Sequence, residues 1–222
     1  MNYFKSLLAS SDQPNSLGYA LRNKRFKDLE QLLDKHFPSS QTIHVLDVGG
    51  RAYFWEDKAL YQSGRLNITL LNLEEEKDFP SDMRSLAGDA TDLSQFSNDS
   101  FDLVFSNSVI EHLYTWENQQ KMAEECMRVG KKYFIQTPNK HFFIEAHYVL
   151  PWAQYMPKSI LYPILTKTPL SRGRRWQERD ASQYLDEIRL LSKKELKKLF
   201  PQASIYQEKF LGMNKSFAAH NL

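Results

Sequence analysis

Acidic residues, glycines and histidines recur in this sequence at positions whose order and spacing suggest a ligand site. Asp47-Val48-Gly49-Gly50 closes one apolar run, Asn72-Leu73-Glu74 closes a second, Asp89-Ala90 follows a third and Asn107-Ser108 a fourth. Glycine after an acidic residue lets the backbone turn tightly and lets a ligand approach closely. Asn72 and Glu74 stand two residues apart, so strand alternation points both to one side, where they can hold the hydroxyls of a ribose. Asp89 can bond an adenine amino group. Taken singly, these residues are ordinary turn chemistry.

Two histidines add reactive character. His112, in Ile110-Glu111-His112-Leu113, is of the residue type suited to taking a proton from an alcohol or phenol. Glu111 beside it can orient the ring or cap a helix. Glu145-Ala146-His147 offers a second carboxylate and imidazole that can grip an acceptor or share a proton; the alternative is a polar turn that stabilises its own loop. His112, His141, His147 and Glu145 can in principle make a metal site, but nothing matches the tight ligand spacing of a zinc motif, so no metal is expected.

The elements that must position these residues alternate. Phe26, Leu29, Leu32 and Leu33 share one face at helical spacing, which makes residues 1–40 read as N-terminal helix, broken at Pro38. Strands are expected over 44–49, 67–73, 83–89, 101–107 and 132–136, with helices over 53–62 and 117–129 between them. Such β-α-β alternation predicts a mostly parallel sheet covered by helices on both faces. In such a sheet ligands bind beyond the carboxyl ends of the strands, where the residues above fall.

Residues 139–185 break the rhythm with prolines and with Phe142, Phe143, Tyr148, Trp152, Tyr155 and Tyr162. So long an interruption is usually a lid or binding insertion, and its aromatics suit an apolar acceptor cavity or core contacts. Lys167, Arg172, Arg174 and Arg175 form a basic stretch that can hold an anionic group or lie solvated on the surface. Ser192-Lys193-Lys194-Glu195 has capping-box spacing and predicts a helix to residue 200, before final strands near 204–210 and 215–220. The expected organisation is one domain over 1–222, with N-terminal helices at 1–40, a core at 41–138, an insertion at 139–185 and a C-terminal helix and strands at 186–222.

Composition narrows the class. The chain has 222 residues and a formal net charge of +2, without the concentrated basic face of a nucleic-acid binder. No stretch has the apolar length of a membrane span, and the start MNYFKSLLASSDQPNS lacks a signal peptide's apolar core, so a cytoplasmic location is expected. The single cysteine, Cys126, forms no intramolecular disulfide and is expected to be buried and inert.

The succession VLDVGG, ITLLNLE, GDATDL, SFDLVFSNSVIEHL and AEECMRVGKKYFIQTPN resembles the class I S-adenosylmethionine-dependent methyltransferases, especially bacterial small-molecule members. The resemblance covers roughly residues 40–140 and, more loosely, the C-terminal tail. It implies a doubly wound, Rossmann-like sheet of seven strands with the last antiparallel, and S-adenosylmethionine as cofactor. By that resemblance Asp47, Gly49 and Gly50, with Val48, hold the methionine end, while Asn72 or Glu74, with Leu73, holds the ribose. Asp89 and Ala90 then meet the adenine, and Asn107 and Ser108 line the sulfonium side. Two departures stand out. Arg51 and Tyr53 occupy the family's later glycine positions, and Asn72 stands where the family carries an acid. The implied activity is methyl transfer to a small-molecule or lipid-linked acceptor, with no nucleic acid as partner. The alternative is a non-catalytic methyltransferase-like binding domain.

Overall fold

A computed structural model describes residues 16–222. The signal-peptide reading, and the part of the expected N-terminal helix before Ser16, lie outside the described residues. Helix α1 spans Leu17–His36, and the Ser16 hydroxyl accepts the Tyr19 amide at 3.0 Å. That bond satisfies a first-turn donor that has no partner within the helix. Phe26, Leu29 and Leu33 are buried, as the spacing predicts, and Leu32 packs partly buried beside them.

Five strands follow in parallel: β1 (Ile43–Val48), β2 (Leu66–Asn72), β3 (Arg84–Ala87), β4 (Phe101–Asn107) and β5 (Gly130–Pro138). A short hairpin of β6 (Ile144–Glu145) and β7 (Leu150–Pro151) stands apart, and β8 (Ser204–Phe210) and β9 (Met213–His220) complete the main sheet. The seven-stranded order is β3-β2-β1-β4-β5-β9-β8, with β9 antiparallel to both its neighbours. The order reverses between β1 and β4, so the crevice for a ligand opens above those two strands.

The central strands are buried almost throughout, as expected where helices cover both faces. On one face α1 and the single turns α2 (Tyr53–Glu56) and α3 (Ala59–Gln62) enclose Phe26, Phe54, Trp55, Phe105 and Phe134. On the other face α4 (Trp116–Val129) packs Met122, Ala123, Cys126 and Val129 against the sheet. The Cys126 thiol is buried there, and burial pushes its pKa up to about 12, so it is inert as expected.

Two elements differ from expectation. The helix expected over 53–62 is two turns, because the backbone at Lys58 is extended and interrupts the hydrogen-bond ladder. Within the insertion, α5 (Lys158–Lys167) and α6 (Glu178–Glu187) are regular helices packed on Tyr148, Leu161, Leu165, Trp176 and Ala181. Pro163 sits inside α5 and hides that helix from a reading based on breakers. Ser192 and Glu195 do form the reciprocal capping box, opening α7 (Lys193–Leu199). Among the described residues, no helix is long and apolar enough to cross a membrane.

Candidate functional site

β1 delivers Asp47 to the carboxyl edge of the sheet, and the turn after it shapes what surrounds the carboxylate. Gly49 adopts φ +77°, a left-handed conformation that favours glycine. A Cβ on Gly50 would lie 1.7 Å from Asp47 Oδ2, so no other residue fits while the carboxylate holds its place. Asp47 is 1% exposed and accepts the Trp55 indole N–H at Oδ2, 2.7 Å away. Its other oxygen, Oδ1, is buried with no hydrogen-bond partner. Burial raises the Asp47 pKa to about 7; the Trp55 bond opposes the rise and nearby Glu76 adds to it.

The neighbouring strand ends build the rest of the crevice. Asn72 ends β2 and donates its amide to the Gly50 carbonyl at 2.9 Å, which ties the two strand ends together. Leu73 and Glu74 lie past the end of β2 and are exposed, so strand alternation does not carry Glu74 to the side of Asn72. Glu76 instead turns back to accept the Ala52 amide at 3.2 Å. Asp89 is exposed and accepts both the amide and hydroxyl of Thr91 at 2.8 Å, with Ala90 half-buried beside it. Asn107 ends β4 and accepts the Arg25 guanidinium at 2.6 Å, while the Ser108 hydroxyl donates to Gln136 at 2.9 Å. Val48 is buried in the core behind this edge.

A second group gathers just beyond β4 and β5. Glu111 is fully buried; its Oε2 accepts the Thr137 hydroxyl at 3.0 Å, and Oε1 has no partner. Burial raises the Glu111 pKa, against the pull of His147 and His112. His112 meets Glu187 at Nδ1 (2.7 Å), and His147 meets Glu145 at Nδ1 (2.6 Å). The two rings pack edge to face with centroids 4.9 Å apart. Burial pulls the His147 pKa down, but Glu145 and Glu111 together outweigh it and the net displacement is upward. The structure therefore brings Glu111, His112, Glu145 and His147 into one place. His141 lies outside it, bonded to Tyr155 through Nδ1 at 2.8 Å.

Sequence reasoning missed Trp55, Glu76, Arg25 and Glu187. No local motif marks them, because each reaches its partner across the fold. The insertion aromatics divide: Phe142 and Tyr148 are buried, Trp152 and Tyr155 are exposed, and Phe143 and Tyr162 are intermediate. Beside Glu145, an open cavity of about 260 Å³ is bordered by Tyr148, Leu161, Ile188 and Arg189. In the basic stretch, Arg172 donates to the carbonyls of Ala146 and His147 and so braces the His147 loop.

Comparison with known proteins bears on the crevice. Residues 59–133, which contain β2, β3, β4 and α4, match the family described as "Methyltransferase domain". The chain thus contains a stretch that matches a methyltransferase domain, for which S-adenosylmethionine is the implied cofactor. No curated protein sequence matches it. Among solved structures, this chain is similar in fold to the DszA carbon methyltransferase, with TM-score 0.56 and 15% identity over 99% of this chain and 57% of that one. The CurJ carbon methyltransferase gives TM-score 0.54 and 11% identity over 91% and 54%. This chain thus spans just over half of each of those two. A chain from a complex that contains the Haloferax volcanii Trm112 methyltransferase activator gives TM-score 0.51 and 16% identity over 90% and 92%.

The residues at the crevice fit the cofactor that the family match implies. Asp47 Oδ1 is a buried acceptor without a donor, and Gly49 and Gly50 leave the approach to it clear of side chains. Arg51 and Tyr53, the two departures in the glycine turn, are exposed and do not fill it. S-adenosylmethionine supplies a methyl group already activated on a sulfonium, so what the protein must add is chiefly alignment of donor and acceptor. Gly50→Ala tests the crevice. The added methyl drives Asp47 off Trp55, and overpacking at such sites costs about 1–3 kcal/mol. The expected result is a lower urea midpoint together with loss of cofactor binding in calorimetry. A variant with wild-type affinity would show that this turn does not shape the cofactor site.

Proposed function

We propose that the enzyme transfers the methyl group of S-adenosylmethionine to a small-molecule or lipid-linked acceptor that meets the His112–His147 pair. Asp47, Gly49 and Gly50 hold the amino-acid end of the cofactor. Asn72 faces the ribose, Asp89 and Ala90 the adenine, and Asn107 and Ser108 the sulfonium. The observation that carries the acceptor assignment is the pair of imidazoles, each fixed at Nδ1 by a carboxylate: His112 just after the strand that bears Asn107, and His147 brought against it from the β6–β7 hairpin. Rings held this way present Nε2 in a defined direction, which is what positioning of an acceptor oxygen or nitrogen demands. The open cavity beside Glu145 gives a small or chain-linked acceptor a place to enter. The near-neutral charge gives no support to a polyanionic acceptor.

Isothermal titration with S-adenosylmethionine and S-adenosylhomocysteine tests the donor half, with micromolar binding expected and its loss expected on Asp47→Ala. Methyl transfer from labelled cofactor to a panel of hydroxylated and carboxylated small molecules and lipid-linked sugars tests the acceptor half. Transfer that survives intact in His112→Ala and His147→Ala would overturn the acceptor assignment. Absence of cofactor binding by folded protein would overturn the whole reading.

A further inference from the structure

We infer that Glu111, His112 and His147 form a binding site for a divalent first-row transition-metal ion. One donor atom from each of the three lies within 4.8 Å of the others. Two imidazoles and a carboxylate are the donor set that favours such ions over magnesium or calcium, which prefer oxygen alone. In sequence, 111–112 and 147 are too far apart to read as a zinc motif, which is why spacing did not reveal them.

The surroundings favour ligation over a chance cluster. The nitrogen of each ring that meets a carboxylate is Nδ1, to Glu187 for His112 and to Glu145 for His147. A carboxylate accepts, so Nδ1 carries the proton, and the lone pair is left on Nε2 for a metal. The supporting carboxylates are themselves fixed. Glu145 Oε2 accepts the amides of His147 and Tyr148 at 2.8 and 2.7 Å, and Glu187 Oε2 accepts Gln183 at 3.0 Å. Glu111 adds a buried oxygen, Oε1, with no protein donor. A buried carboxylate oxygen left bare is costly, and a cation satisfies it. Donors about 2.0–2.1 Å from a tetrahedral ion stand roughly 3.4 Å apart, so the three need to draw in by at most about 1.4 Å.

Three protein ligands leave a coordination position open, as in catalytic rather than structural sites. The same two imidazoles carry the acceptor assignment proposed above, and the assignment of the ion's role, though not of its binding, rests on that reading. An acceptor hydroxyl or carboxylate bound there is oriented, and a bound hydroxyl sheds its proton more readily, so no separate base is needed.

The probes are Co²⁺ and Zn²⁺ added to chelator-treated protein, with Co²⁺ followed by its visible absorption and cofactor binding followed separately by calorimetry. The expected result is one ion per chain, with Co²⁺ displaced by Zn²⁺. Binding should vanish in the His112→Gln, His147→Gln double variant and weaken about 10- to 100-fold in Glu187→Gln, which touches only the ring's far nitrogen. Cofactor binding and the melting temperature without metal confirm that each variant is folded. Wild-type protein that binds the cofactor but takes up neither ion overturns the inference and leaves the methyl-transfer reading standing. Metal uptake unchanged in the double variant overturns it as well.

Discussion

Asp47→Asn is expected to stabilise the enzyme without cofactor at pH 8 and to weaken S-adenosylmethionine binding roughly 10- to 100-fold, the worth of one charge-assisted hydrogen bond. Both effects come from the same buried carboxyl. Its pKa rises in the folded state from an ordinary 3.8 to about 7, chiefly through burial. The folded chain therefore holds the proton more tightly than the unfolded chain does. The stability this brings is fully present below the ordinary value and is lost as pH rises through about 7. Above that pH the enzyme carries a buried anion whose penalty is on the order of 4 kcal/mol. Asparagine removes the charge and keeps an acceptor for Trp55. Its amide then faces the place of Oδ1 without a partner, which returns about 1–3 kcal/mol of the gain. The net gain should raise the melting temperature by several degrees at pH 8 and shrink steadily as pH is lowered. A difference between variant and wild type that is flat with pH would show that Asp47 is ionised without strain. In the cofactor site proposed above, the ammonium of the methionine end would be the missing partner for Oδ1, and the site would trade stability for binding.

That trade explains what the sequence disclosed and what it concealed. β1, β2 and β4 were legible because fully buried parallel strands read as continuous apolar runs, and their ends carried Asp47, Asn72 and Asn107 to one edge. The capping box at Ser192 and Glu195 was legible because it is local. Trp55 was not, since the eight-residue reach from its indole to Asp47 depends on how the turn after Gly50 folds. Glu74 was misplaced because alternation was carried past Asn72, where β2 ends. The helices α5 and α6 were hidden because prolines at 157, 163 and 169 resemble breakers, while burial of Leu161, Leu165 and Ala181 decides the matter in three dimensions. His112 and His147 each drew notice, but their convergence with Glu111 needed the hairpin of β6 and β7 to fold back on the end of β4.

The N-terminal helix provides the other large effect. Arg25 on α1 is 7% exposed and pairs with Glu208 on β8, which is 3% exposed, while its second amino group donates to Asn107 at 2.6 Å. Burial pushes the Glu208 pKa up, but Arg25 and Lys215 outweigh it and hold the group ionised below its ordinary value. Breaking a buried pair by removing one partner costs about 3–5 kcal/mol, because the other charge is left stranded. Arg25→Met should fall toward the lower figure, since Lys215 still reaches Glu208 at 3.2 Å. That amounts to a melting temperature lower by roughly 6–12 °C in a chain of this size. Removing both charges tells stability apart from function. The double variant Arg25→Met, Glu208→Leu replaces the pair by apolar side chains of similar reach, and such replacements are often neutral or stabilising. Its melting temperature should return near the wild-type value. Cofactor affinity should not return with it, because Arg25 also occupies the Asn107 carbonyl and so sets the direction of the Asn107 amide at the carboxyl end of β4. If the double variant recovers both stability and cofactor affinity, Arg25 is a fastener for α1 alone. If it recovers stability only, α1 is part of the cofactor site, and Arg25 is the residue through which the helix orients Asn107.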